Sequence, residues 1–297
     1  MMIRRNFFIV IVSLLGSFAT FAQANLLNAK IPEEIGLKST SQLSSDNDKP
    51  LEYGYVDDRD VLMGKTVWEI IDLNERINFP LYFPIDTANI GSDRRSLYDV
   101  LTKAIKNGEL TEVYSDSYFN TKKSYKDIQA SLTRIDTTDA GREQRNAGQT
   151  ISPEYIVKQD LTAQDVSQYK IKGYWYFDKR QSELKYRLLG ICPVTPDVYT
   201  MNSEEKDYIE LFWVFFPAAR DVLHESKAFN DKNSAMPISF DQILNSRRFN
   251  AVIYQEENVY GDRTIVSYMK DNAQNQLLES ERVKEKIRDF EENMWNY

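Results

Sequence analysis

Lys170-Ile171-Lys172-Gly173-Tyr174-Trp175-Tyr176-Phe177, then Asp178-Lys179-Arg180-Gln181-Ser182, then Glu183-Leu184-Lys185-Tyr186-Arg187-Leu188-Leu189-Gly190-Ile191 is the stretch that decides the fold class. On both arms charged residues alternate with apolar ones, the period-two pattern of a half-buried strand. The polar residues between the arms make a turn, so the pair reads as an antiparallel hairpin. Beyond Pro193 and Pro196, Tyr208-Ile209-Glu210-Leu211-Phe212-Trp213-Val214-Phe215-Phe216 is apolar on both faces and closed by Pro217. A run of that kind belongs between two layers, and we expect it as the central strand. Residues 218–224 follow as a short helix. The fold class is therefore α+β, a mostly antiparallel sheet flanked by helices.

Helix–strand units surround this core. Thr66-Val67-Trp68-Glu69-Ile70-Ile71-Asp72-Leu73 has helical periodicity and leads to a strand at Ile77-Asn78-Phe79-Pro80-Leu81-Tyr82. Ser96-Leu97-Tyr98-Asp99-Val100-Leu101 runs as a helix to Ile105 and stops at Asn107-Gly108, a good helix end, before a strand over residues 110–114. Ser239-Phe240-Asp241-Gln242-Ile243-Leu244 precedes a strand over residues 249–254. Each unit sets an aromatic residue and an acid at the helix start, where the acid suits the macrodipole. From that aromatic to the closing Tyr is 14, 16 and 14 residues, the spacing of an internal duplication or of chance resemblance between helix–strand pairs.

The inventory of reactive side chains excludes common chemistries. The 297 residues hold one His and one Cys, so a Ser-His-Asp or Cys-His nucleophile has to use His224 or Cys192. A structural zinc site needs about four ligands, mostly Cys and His. Lone His224 reads as structural, and Cys192, inside an apolar run, as a small buried hydrophobe. The adjacent acids Asp57-Asp58 and Glu256-Glu257 read as solvated faces, and Asp231-Lys232-Asn233 lacks the spacing of a calcium loop. No glycine-rich phosphate loop is present. Lys plus Arg number 37 against 45 Asp plus Glu, a net charge of −8, which disfavours nucleic acid. No cofactor is expected.

Residues 1–22 read as a cleaved secretory signal. Arg4 and Arg5 precede an uncharged apolar run over residues 7–21, and small residues follow. Those 15 residues fall short of the ~20 a spanning helix needs, so direct membrane insertion is not expected. Cleavage is expected after Ala22 or Ala24, with no Cys near the junction to take a lipid. Loss of two arginines and no acid leaves the mature chain at −10. Residues 23–50 form a flexible polar linker, residues 51–270 the body, with a long loop or lobe boundary near 134–152, and residues 271–297 a charged helix. That helix carries a stripe at Val283, Ile287, Phe290 and Met294, suited to docking on its own body or on a neighbour.

The chain is also rich in aromatics, with 18 Tyr, 15 Phe and 4 Trp. Tyr and Trp serve equally as packing beside a sheet and as interface anchors. Candidate interface residues are Tyr174, Trp175, Tyr176 and Trp213, where exposed, with Ile287, Phe290 and Met294 from the tail.

Several blocks resemble the GldN/PorN family of gliding-motility and type IX secretion proteins. They are Val67-Trp68-Glu69-Ile70-Ile71-Asp72-Leu73-Asn74-Glu75 through Phe83-Pro84, Tyr186-Arg187-Leu188-Leu189-Gly190-Ile191-Cys192-Pro193, and Leu211-Phe212-Trp213-Val214-Phe215-Phe216-Pro217. The longest is Ser239-Phe240-Asp241-Gln242-Ile243-Leu244-Asn245-Ser246-Arg247-Arg248-Phe249-Asn250, continuing through Glu256-Glu257-Asn258-Val259-Tyr260-Gly261-Asp262-Arg263. The resemblance covers most of residues 60–270. It implies a non-enzymatic periplasmic subunit, associated peripherally with the outer membrane. Such a subunit self-associates in a ring with a GldK/PorK-like outer-membrane lipoprotein and meets the periplasmic part of a GldM/PorM-like motor component. The alternative reading is a peptidoglycan-binding module or a carboxylate-dependent hydrolase of the cell envelope. N-terminal sequencing of the exported protein is expected to begin at Gln23 or Asn25, and a start at Met1 would refute the signal.

Overall fold

The computed structural model describes residues 31, 48–86, 94–150, 152–197, 200, 207–230, 238–270 and 272–295. The signal over residues 1–22, nearly all of the expected linker, and Asp231-Lys232-Asn233 lie outside the described residues. Pro50–Tyr297 forms a compact unit. Its elements are β1 (Val61–Asp72), α1 (Phe79–Tyr82), α2 (Leu97–Asn107), β2 (Val113–Tyr114), β3 (Lys122–Lys123), α3 (Tyr125–Leu132), β4 (Thr133–Thr137), α4 (Asp139–Asn146) and β5 (Ile156–Asp160). There follow β6 (Gln168–Asp178), β7 (Glu183–Pro196), β8 (Tyr208–Glu210), β9 (Trp213–Phe215), α5 (Phe216–Glu225), β10 (Lys227–Ala228) and β11 (Ile238–Ser239). The chain continues through α6 (Phe240–Asn245), β12 (Val252–Glu256), α7 (Ile265–Tyr268) and α8 (Ala273–Trp295).

The fold is α+β. An antiparallel sheet runs β12-β1-β6-β7-β9-β2-β3, with β8 on a further length of β7. The expected hairpin is β6–β7, in register from Asp178 opposite Glu183 to Gln168 opposite Val194, with one irregularity at Lys172/Gly173. Asp178 fixes the turn by accepting hydrogen bonds from the Arg180 and Gln181 amides at 2.9 and 3.4 Å. One face of the sheet packs Ile71, Ile171, Leu188, Ile191 and Val214 against apolar side chains of α2, α5 and α6. The other carries a small cluster of Trp68, Cys192 and Trp213, with Tyr114, Phe119 and Tyr254 around it.

Four expectations are corrected. Residues 66–73 are strand β1, not helix, and residues 77–82 are a single turn followed by α1, not strand. Ile71 joins the main core, Val67 the cluster under α8 and Trp68 the cluster on the opposite face, so both faces of β1 are buried. A strand buried on both sides shows the continuous apolar run that a helix also shows. Pro80 sits in the first turn of α1, where it needs no amide partner. The two later units keep their helices. Ser96 caps α2 by accepting from the Asp99 amide, and Ser239 with Gln242 makes a capping box on α6.

The run at 208–216 is not the central strand. It breaks into β8 and β9 around Leu211 and Phe212, both of which join the main core, and the centre is held by β6 and β7. The Leu211 amide bonds the Pro193 carbonyl at 3.1 Å, and Lys123 Nζ donates to the Leu211 carbonyl at 2.8 Å. The stretch near 134–152 is also not simply a loop: it contains part of β4, which pairs with β5, and α4, capped by Thr138.

The tail docks on this same chain. Val283 and Ile287 of α8 pack with Val67, Ile253 and Ile265, and Phe290 meets Phe177 edge-on at 5.9 Å. Ser280 Oγ accepts from the Ile253 amide at 2.9 Å, and Lys284 Nζ donates to the Ala251 carbonyl at 3.1 Å. Among the described residues no helix is long and apolar enough to cross a membrane. Ile287→Ala is expected to lower stability by about 2–3 kcal/mol in urea unfolding. Leu278→Ala, on the exposed side of the same helix, should stay within about 0.5 kcal/mol. Equal effects would mean that the helix does not dock in this way.

Candidate functional site

Two polar constellations stand out, and both are built around α6. The first lies beyond its C-terminus. The Arg247 amide bonds the Leu244 carbonyl at 3.3 Å and the Arg248 amide bonds the Ile243 carbonyl at 3.0 Å, the paired bonds of a Schellman ending. Glycine is usual at the left-handed position of that motif, yet here Arg247 holds it at φ 50°. Its guanidinium accounts for the exception. Nη1 and Nη2 each donate at 2.8 Å to a different oxygen of Glu69, a β1 carboxylate 1% exposed. The guanidinium also lies 4.1 Å from the Tyr186 ring centre, with Trp175 and Phe249 at 5.3 and 5.2 Å. Tyr186 donates its hydroxyl to Glu69 at 3.2 Å. Burial, with Glu69 beside it, pushes that hydroxyl well above its ordinary pKa, so it stays a donor.

The second constellation begins at the other end of α6. Asp241 takes a two-pronged bond from Arg220 of α5, at 2.8 and 3.2 Å. Arg220 also donates to the Leu51 carbonyl at 2.6 Å. The Tyr53 ring lies between two guanidiniums, with Arg220 at 4.2 Å and Arg187 of β7 at 4.4 Å. Tyr53 donates to Asn245 Oδ1 at 2.9 Å, and Asn245 donates to Asp241 at 2.7 Å. Residues 51–56 are thus strapped to the body by side chains. Between this strap and the β6–β7 hairpin is a cleft of about 290 Å³, bounded by Tyr53, Tyr55, Tyr176 and charged neighbours.

The acids considered for catalysis are employed locally. Asp57 caps a turn through the Arg59 amide at 3.1 Å, Glu256 pairs with Lys65 at 3.0 Å, and Glu257 accepts from the Thr66 amide at 3.3 Å. His224 is buried in the last turn of α5. Cys192 is a buried free thiol whose pKa burial pushes well up, in keeping with an inert packing residue. Among the described residues no group of three or more His, Cys, Asp or Glu is placed to hold a metal ion.

The candidate interface residues scatter. Trp213 is fully buried and Tyr176 nearly so; Ile287 lies in the α8 seam. Trp175 meets Tyr186 at 4.9 Å with the rings tilted by 55°, and Phe290 is half-buried on Phe177. Tyr174 is half-buried across Gly64, and Met294 is exposed. Among the described residues the apolar side chains most open to solvent are Val259, Leu51, Tyr55 and Tyr260. None of these was singled out from the sequence, where isolated aromatics in polar segments carry no periodic signal. On the sheet's second face, Lys172 Nζ lies 4.9, 4.7 and 5.6 Å from the rings of Trp68, Tyr118 and Phe119. Burial holds this amine below its usual range, against the pull of Asp262, Glu257 and Asp116.

The blocks that carry the family resemblance are the ones that meet here: Glu69, Tyr186, Asp241, Asn245 and Arg247. Gliding motility associated protein GldN is the family whose model matches, over residues 56–296. The chain belongs to the GldN family. Membership makes it a component of the gliding-motility and type IX secretion machinery of the cell envelope, in a family that is structural and not a known enzyme family. A search of curated proteins gives no match. In this GldN-family chain Asp241 of the longest block is buried and Asn245 and Arg247 are half-buried, while Gln242, Ser246, Arg248 and Asn250 are exposed. Exposed Asn250 nonetheless donates to Glu75 at 2.7 Å while its amide bonds Asn78 at 2.9 Å. Glu69→Leu and Arg247→Leu are each expected to cost about 3–5 kcal/mol, because each strands a buried charge. The double variant should lose clearly less than the sum, and a double-mutant cycle in urea with no coupling would refute the pairing.

Proposed function

We propose that this chain is a non-enzymatic periplasmic subunit of the type IX secretion and gliding machinery. It self-associates in a ring, is held at the outer membrane by a GldK/PorK-like lipoprotein, and meets the periplasmic part of a GldM/PorM-like motor component. The observation that carries the reading is the use made of the longest family block. Asp241, Asn245, Arg247 and Asn250 bond to the side chains of Arg220, Tyr53, Glu69 and Glu75, all outside that block. Residues spent in this way fix a shape and are not free to act on a substrate, as a subunit requires if it works through its surfaces.

Heterologous contacts between copies close into rings when the rotation between them is right. Tyr174 and Met294 remain proposed contacts. Trp175, Tyr176, Trp213, Ile287 and Phe290 act from behind, supporting the surface. Mild-detergent envelope extracts are expected to yield the chain in an assembly many times its own mass, together with a lipoprotein. A discrete monomer that cleaves or binds muropeptides, with no lipoprotein partner, would overturn this in favour of an envelope hydrolase or binding module.

A further inference from the structure

The cleft beneath the strap is not used by the assembly reading. Its floor and walls combine flat rings with hydrogen-bonding groups of both kinds. Tyr55 is 83% exposed and stands at the rim, Tyr53 is clamped by its two arginines, and Tyr176 stacks on Tyr174 with the rings 20° from parallel. Glu52 and Asp178 bring acceptors, and Lys185 and Arg187 bring donors, so the charges of the lining cancel. Asp178 is held in place by its turn amides and by Lys185 at 3.2 Å. Arg187 makes no ion pair among the described residues; its one hydrogen bond is a long 3.4 Å contact to the Gly54 carbonyl.

We propose that this cleft binds a pyranose unit of a neutral glycan, with Tyr55 as the stacking plate and Gln181, Arg187 and Glu52 bonding the ring substituents. The balanced charge argues against an anionic ligand, and the polar lining against an apolar one. An extended peptide fits less well. Residues 183–189 of β7 have no strand partner on the side away from β6 among the described residues. However, Arg187 of that segment reaches the Gly54 carbonyl of the strap, and Glu291 of α8 already bonds the Leu184 amide at 3.3 Å. Tyrosine is the right ring for the task, since it offers an apolar face and a polar tip. The volume is at the small end for ligand sites, which sets the unit at one or two rings.

Chitotriose titrated into the full mature chain, followed by ligand-detected NMR and calorimetry, tests the site. Saturable binding is expected, weakened about tenfold by Tyr55→Ser and by Gln181→Ala. Both side chains are exposed, so circular dichroism and the urea midpoint should be unchanged in both variants. No saturable binding, binding that ignores both variants, or an acidic heptapeptide competing better than chitotriose would each overturn the proposal. The outcome is independent of the ring: an assembly lacking the glycan site and a glycan site on a monomer are separately visible.

Discussion

A carboxylate buried in the middle of a sheet imposes more on a chain than any apolar contact does. Glu69 is almost wholly enclosed, and an uncompensated charge there would cost several kcal/mol. Its partner, Arg247, comes from 178 residues further along. For that guanidinium to arrive, α6 must end where it does and the next residue must take a left-handed turn that most side chains avoid. The chain then has to enter β12 beside β1. One pair thus fixes β1, β7, α6 and β12 relative to one another. A one-residue slip of β1 would turn Glu69 to the opposite face and leave Arg247 without its partner.

The other end of the same helix extends the constraint outward. Asp241 sits inside the capping box, between Ser239 and Gln242, so placing α6 also places the acid that holds Arg220. Arg220 and Arg187 then grip Tyr53, and the strap ahead of β1 acquires a defined path. A subunit of a motility machine has to keep its surfaces in fixed relation under load. Ionic and guanidinium–ring contacts suit that demand because they are directional, whereas apolar packing tolerates sliding.

How much of this was legible in the sequence follows from which interactions are local. The β6–β7 hairpin was, because alternation and turn sit within one stretch, and so were α2 and α6, whose serine caps are written beside them. β1 was not, because burial on both faces erases the period that separates strand from helix. The run at 208–216 looked continuous because Leu211 and Phe212 are as apolar as their neighbours, and the backbone break between β8 and β9 leaves no mark in hydropathy. β4 and α4 were missed for the opposite reason, being polar throughout. The ion pairs at Glu69 and Asp241 join residues too distant for spacing to relate them. The sole hint was charged and amide residues recurring inside otherwise apolar blocks. Aromatic count likewise overstated the surface, since Trp213 and Tyr176 turn inward.

The two ends of the sheet have a further consequence. At one, Ser280 and Lys284 of α8 occupy main-chain groups of the 251–253 stretch; at the other, β3 is two lysines long. Open strand edges invite unlimited addition of further strands, and short, charged or covered ones do not. Among the described residues, neither end of the sheet therefore offers a long open edge on which a further strand could add.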